Sequence, residues 1–142
     1  MMKKNIKKVL CIASLVGIML LNSSAAMAYG QPYKFNVYKN GGVQKSGVVY
    51  KEDSERNAYV TVEDAMWSTQ APWVFGARVR TSSGQALTEY YTKQHSVGPM
   101  GYPGMPYLAG TPAYAGLPCQ LNAQVDSSSA STIITIWGVW LP

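Results

Sequence analysis

The stretch CQLNAQVDSSSASTIITIWGVW, residues 119–140, decides the fold class. Cys119, Leu121, Ala123 and Val125 alternate strictly with Gln120, Asn122 and Gln124. A period of two puts one face of a strand against a core and the other in water. Residues 126–131 are small and polar, a turn signal, and residues 132–140 are β-branched and aromatic, types that fit a pleated, half-buried surface. The two flanks read as a pair of strands joined by a turn.

The same pattern extends towards the N-terminus. Trp73, Phe75, Ala77 and Val79 alternate with Val74, Gly76, Arg78 and Arg80, and Ser82-Ser83-Gly84 follows as a turn, so residues 73–92 read as a β-hairpin. Tyr33, Phe35 and Val37 share one face of an earlier strand, and Ala58, Val60 and Val62 share one face of another. No stretch after residue 28 sustains a 3.6-residue apolar period; the best helical candidate is a single turn near Glu63 to Trp67. Short strands separated by turn signals predict an all-β fold, an antiparallel β-sandwich or an open barrel.

Residues 96–118 break this rhythm. They hold Pro99, Pro103, Pro106, Pro112 and Pro118, five of the eight prolines, interleaved with glycines and with Tyr102, Tyr107 and Tyr114. Proline donates no ladder hydrogen bond, so the segment is expected to be a long loop or an edge excursion. Either it presents its tyrosines to a partner, or it packs over the core with them.

The first 28 residues read as an export signal. Residues 1–8 are basic, residues 9–21 form an apolar run shorter than the ~20 residues of a bilayer span, and Ala26-Met27-Ala28 gives the small-x-small pattern of a cleavage site. Cleavage after Ala28 removes 28 of 142 residues and leaves 114, a single domain, 29–142, starting at Tyr29. Lys3, Lys4, Lys7 and Lys8 leave with the signal, so the formal charge falls from +5 to +1. That disfavours a nucleic-acid binder, which needs a basic surface. No later stretch approaches membrane-spanning length, so the expected mature protein is extracellular with no stable membrane insertion. Cys11 also leaves, and Cys119, alone, closes no internal disulfide.

The layout resembles a group of small exported proteins of Gram-positive bacteria that carry a domain of unknown function. The matching pieces are Phe35-Asn36-Val37, Arg56-Asn57, Leu121-Asn122-Ala123 and Gly138-Val139-Trp140, spread over most of residues 33–140; the Pro-rich segment 96–118 departs from the pattern. The resemblance implies a secreted β domain and carries no catalytic residues.

Residues suited to chemistry are few. His95 is the sole histidine, and Cys119 sits on an apolar-alternating face, where a buried hydrophobe is the better reading than a thiolate nucleophile. No Gly-x-Ser-x-Gly elbow or Gly-rich nucleotide cradle is present. One cysteine and one histidine cannot fill a four-ligand zinc site, so no metal or cofactor is expected. Glu52, Asp53, Glu55, Glu63 and Asp64 read as solvated turns; a small secreted hydrolase using these carboxylates is the alternative. Aromatic residues are the remaining resource. Trp73 and Trp137 are expected in the core, and Tyr102, Tyr107, Tyr114 and Trp140 as contact residues, because an apolar face with a polar handle suits recognition. The sequence thus predicts a secreted, non-enzymatic binding protein whose partner is wall glycan, another exported protein or a competing cell, with a bacteriocin-associated role as one such setting.

Overall fold

The computed structural model describes residues 30–67 and 71–142. The expected signal peptide, 1–28, and Tyr29 lie outside the described residues. The chain forms β1 Gln31–Tyr38, β2 Gln44–Lys45, β3 Val49–Tyr50, β4 Asn57–Trp67, β5 Val74–Thr81, β6 Tyr91–Gln94, β7 Gly98–Pro106, β8 Pro118–Val125 and β9 Ile133–Leu141, with no helix among the described residues. Two antiparallel sheets pack face to face: β1-β9-β4-β7, and β2-β8-β5-β6 with β3 also paired to β8. The sheets do not close into a barrel. The fold is the expected sandwich.

One apolar core lies between the sheets. β1 contributes Tyr33, Phe35 and Val37; β4 contributes Ala58, Val60 and Val62; β5 and β8 face them with Phe75, Ala77, Val79, Cys119, Leu121 and Ala123. Each alternation read from the sequence is thus an inward face. Full burial of a side chain such as Leu121 or Ile136 contributes about 1.5–3 kcal/mol relative to exposure.

Four expectations need correction. First, β8 and β9 are not a pair: they lie in opposite sheets, and residues 126–132 arch between them. The arch is tied to the start of β5, where the Val74 N–H donates to Ser129 Oγ (3.0 Å) and the Asp126 N–H donates to the Val74 carbonyl (2.9 Å). Ser129 and Ser131 are buried there, their hydroxyls donating to Ser131 O and Ala71 O (both 2.8 Å). A polar run that looks like a surface turn is therefore an internally bonded crossing.

Second, Glu63 to Trp67 is no helical turn. β4 runs straight through it, with a register shift between Val62 and Asp64 against β9; the bulge disturbs the apolar alternation and mimics a turn. Third, 96–118 is not one loop; of the two forms expected, its first part takes the edge excursion. Residues 98–106 are the edge strand of the first sheet, paired with β4, and an edge strand is where a sheet tolerates proline. Its pairing jumps from Val60↔Met100 to Ala58↔Met105, so 101–104 bulge out of the ladder.

Fourth, the faces of β9 are the reverse of those expected. Trp140 is buried, whereas Trp137 is half-buried on the outer face, with Lys34 Nζ 5.8 Å from its ring. Both faces of β9 are apolar, so alternation alone does not choose between them. Gly138 shares the inward face because Tyr33 lies over it: a β-carbon there would be 1.8 Å from Thr61 O, which accepts the Tyr33 hydroxyl at 3.0 Å.

Candidate functional site

The residues named from sequence disperse. Tyr102 is 93% exposed at the tip of the β7 bulge, and Tyr114 is exposed in the following loop. Tyr107 and Trp140 are core residues, so neither is an accessible contact. The loop 107–117 is pinned by Arg56, whose guanidinium donates to Leu108 O (2.8 Å) and Thr111 O (2.9 Å). For Tyr107, packing over the core is the correct reading.

Cys119 is buried, as its alternation predicts, and burial pushes its thiol pKa up. It pairs in register with Thr81 at one end of β5, whereas His95 bonds the Trp73 carbonyl beyond the other end (2.9 Å). Six residue steps of strand from Thr81 to Phe75 put these groups about 20 Å or more apart, so they form no dyad. His95 instead stacks edge-on against Trp67, 4.7 Å between centroids.

The carboxylates divide too. Asp53 pairs with Lys51 (3.2 Å) and accepts the Glu55 N–H (2.8 Å); these bonds, the Glu55 one foremost, hold its pKa below the ordinary value. Glu52 and Asp53 lie in the connection entering β4, while Glu63 and Asp64 stand exposed at the β4 bulge. Among the described residues no group of three or more His, Cys, Asp or Glu side chains is placed to hold a metal ion.

A different set of residues is brought together on the outer face of the second sheet. Because Leu121 and Ala123 point inwards, Gln120, Asn122 and Gln124 point outwards; on β5 the outward positions are Gly76, Arg78 and Arg80. Register sets Arg78 and Lys45 on either side of Asn122, and Gly76 beside Gln124. Adjacent strands lie about 4.8 Å apart, so the Lys45 and Arg78 backbones flank Asn122 across about 10 Å.

Tyr90 closes one side. Its phenol lies across Gly76, donates to Asp126 Oδ2 (3.0 Å) and accepts from Gln124 Nε2 (3.2 Å). Burial, above all, pushes its pKa up to about 12, so it stays a neutral hydroxyl. The Arg78 guanidinium lies 5.7 Å from the ring, and Arg80 Nη1 donates to Gly84 O (2.6 Å).

The result is a groove of about 490 Å³ lined by Val43, Lys45, Arg78, Arg80, Gly84, Tyr90, Asn122 and Gln124, within the usual range of ligand sites, about 300–1,000 Å³. A second hollow of about 380 Å³ continues on the far side of Tyr90, lined in part by Lys39, Gln124 and Asp126. No acidic residue lines the first groove, and the one ion pair among the described residues, Lys51–Asp53, lies elsewhere. Asn122 is only 7% exposed, and its Oδ1 has no hydrogen-bond partner. A buried, unpaired acceptor is costly, about 1–3 kcal/mol.

Sequence reasoning placed Arg78, Arg80, Asn122 and Gln124 on polar strand faces but did not join them. The two arginines at i and i+2 were the available signal; the register that adds Lys45 and Tyr90 is a tertiary fact. Comparison of the chain with family models, curated proteins and solved structures finds no match.

Proposed function

We propose that the chain is a secreted, non-enzymatic binding protein of the cell envelope, and that the groove on the second sheet is its binding surface. The observation that carries this reading is the cationic, amide-floored groove with an unpartnered Asn122 acceptor. Three cations without facing carboxylates favour an anionic partner by Coulomb attraction. The scattered positions of Cys119, His95 and the carboxylates favour binding over catalysis. The basic and apolar segment 1–21 with Ala26-Met27-Ala28 supports export. Wall glycan is the favoured partner, ahead of another exported protein, and a bacteriocin-associated role is compatible with it.

The test is co-sedimentation of mature protein, residues 29–142, with purified cell wall and with whole cells. The mature chain should pellet with wall, and N-terminal sequencing of protein from culture medium should begin at Tyr29. Full-length chain in the membrane fraction, or mature protein that stays in the supernatant with both wall and cells, overturns the reading.

A further inference from the structure

Resting on the groove as the binding surface, its chemistry narrows the ligand. The cations Lys45, Arg78 and Arg80 supply donors only. Arg78 offers a planar fork suited to a carboxylate or phosphate, and Lys45 a mobile point charge. The Asn122 Oδ1 between them in register is an acceptor; an isolated anion has no hydrogen to give it. A ligand that satisfies the floor and the walls together therefore carries an anionic group and, close to it, an O–H or N–H donor.

Polyhydroxylated chains have that combination. Hydroxyls donate and accept, as do the amides of Asn122 and Gln124, and Tyr90 offers an aromatic surface of the kind that packs on sugar rings. An acidic peptide fits less well. The groove has one aliphatic side chain, Val43, to receive peptide side chains, and strand addition would occur at a sheet edge rather than on a face. The second hollow shares Tyr90 and Gln124 with the groove and is lined by both Lys39 and the Asp126 carboxylate, so a chain long enough to reach it would place a neutral, hydroxyl-bearing stretch there.

We infer that the outer groove of the second sheet binds an acidic glycan or polyol chain, its anionic group held by Arg78 and Lys45 and a neighbouring hydroxyl or amide donating to Asn122 Oδ1 as the side chains that close this atom to water part. The carboxylate of a uronic acid and the phosphate of a polyol phosphate share this chemistry.

Isothermal titration of mature protein at low salt tests it with four probes: oligogalacturonate, oligo(glycerol phosphate), neutral maltohexaose and poly-glutamate. One or both of the first two should bind at least tenfold tighter than the last two, and which of them binds identifies the anionic group. Arg78→Gln and Asn122→Leu should each weaken that binding about tenfold or more. Asn122→Leu should also leave the melting temperature unchanged or higher, because it removes an unpaired buried acceptor. Equal binding of maltohexaose overturns the anionic requirement, and equal binding of poly-glutamate indifferent to Asn122→Leu overturns the glycan in favour of a protein partner. Wall co-sedimentation that persists undiminished in both variants overturns the groove while leaving a wall-binding protein. Acidic-chain binding without wall co-sedimentation retains the groove and removes the envelope setting.

Discussion

Tyr90 occupies the space that a side chain at Gly76 would need: a β-carbon on Gly76 would lie 1.6 Å from the Tyr90 hydroxyl oxygen and 2.1 Å from its ring carbon Cζ. Glycine in a strand interior is ordinarily a weakness. Here it lets an aromatic residue lie flat on the sheet and wall the groove, with its hydroxyl held between Gln124 and Asp126.

Gly76→Ala should therefore displace the Tyr90 ring and break both of its hydrogen bonds. Overpacking and the lost bonds together are expected to cost about 1–3 kcal/mol, read as a lower urea midpoint. Binding at the groove should weaken in the same variant. Gly84→Ala is no control, because Gly84 has φ of +101° and alanine would be strained there; Tyr90→Phe, which keeps the ring and loses the hydroxyl, is the informative comparison and should cost less than Gly76→Ala. An alanine at residue 76 that changes neither stability nor binding would contradict this geometry.

The tyrosines of 96–118 should divide by burial. Tyr107→Ser removes a core ring and should cost roughly 3–5 kcal/mol. Tyr107→Phe should stay within about 1 kcal/mol, since the buried hydroxyl has no oxygen or nitrogen partner and only the Cys119 sulfur, a weak one, beside it. Tyr102→Ser and Tyr114→Ser should stay within about 0.5 kcal/mol, as exposed substitutions do. Thermal melts of the four single variants decide it; a large loss from Tyr102→Ser would mean that the bulge is part of the core.

Cys119→Ala should cost roughly 1 kcal/mol or somewhat more through lost packing in the core, with no loss of binding beyond that. The native thiol should react with a maleimide only as fast as the protein opens, because it is fully buried and burial disfavours the thiolate. Rapid native-state labelling would contradict this and restore the reactive-thiol reading.

What the sequence makes legible follows from what alternation encodes. The inward faces of β1, β5 and β8 were readable because their opposite faces are polar: Lys34 and Asn36, Arg78 and Arg80, Gln120 and Gln124. β9 resisted because Ile133, Trp137 and Val139 are as apolar as Ile134, Ile136 and Trp140, so its face is set by the partner strands β1 and β4. The 126–132 arch resembled a hairpin turn because small polar residues serve both, and only the bonds to Pro72 and Val74 distinguish them. The groove was hidden for a related reason. Lys45 belongs to a two-residue strand with no pattern of its own, and Tyr90 matters only through the gap at Gly76.

Asp126 links the groove wall to pH. Its Oδ2 accepts the Tyr90 hydroxyl, and its Oδ1 accepts the hydroxyl (2.5 Å) and the N–H (2.9 Å) of Ser128. These bonds, led by the Ser128 hydroxyl, favour the carboxylate and hold its pKa below the ordinary aspartate value. A depressed folded-state pKa gives stability that is present above the unfolded value, about 3.9, and lost as the pH falls through the folded one. The urea midpoint should therefore decline from about pH 5 downwards, and Asp126→Asn should flatten that decline. Asp53 is depressed as well and contributes in the same window, so Asp53→Asn should remove a separate part of the slope. Because Asp126 also anchors Tyr90, Asp126→Asn should weaken groove binding at neutral pH, whereas Asp53→Asn should not. Midpoints and binding measured for both variants between pH 3 and pH 7 separate the two carboxylates. An Asp126→Asn protein with the wild-type acid slope and wild-type affinity would show that the Tyr90–Asp126 bond supports neither the fold nor the groove.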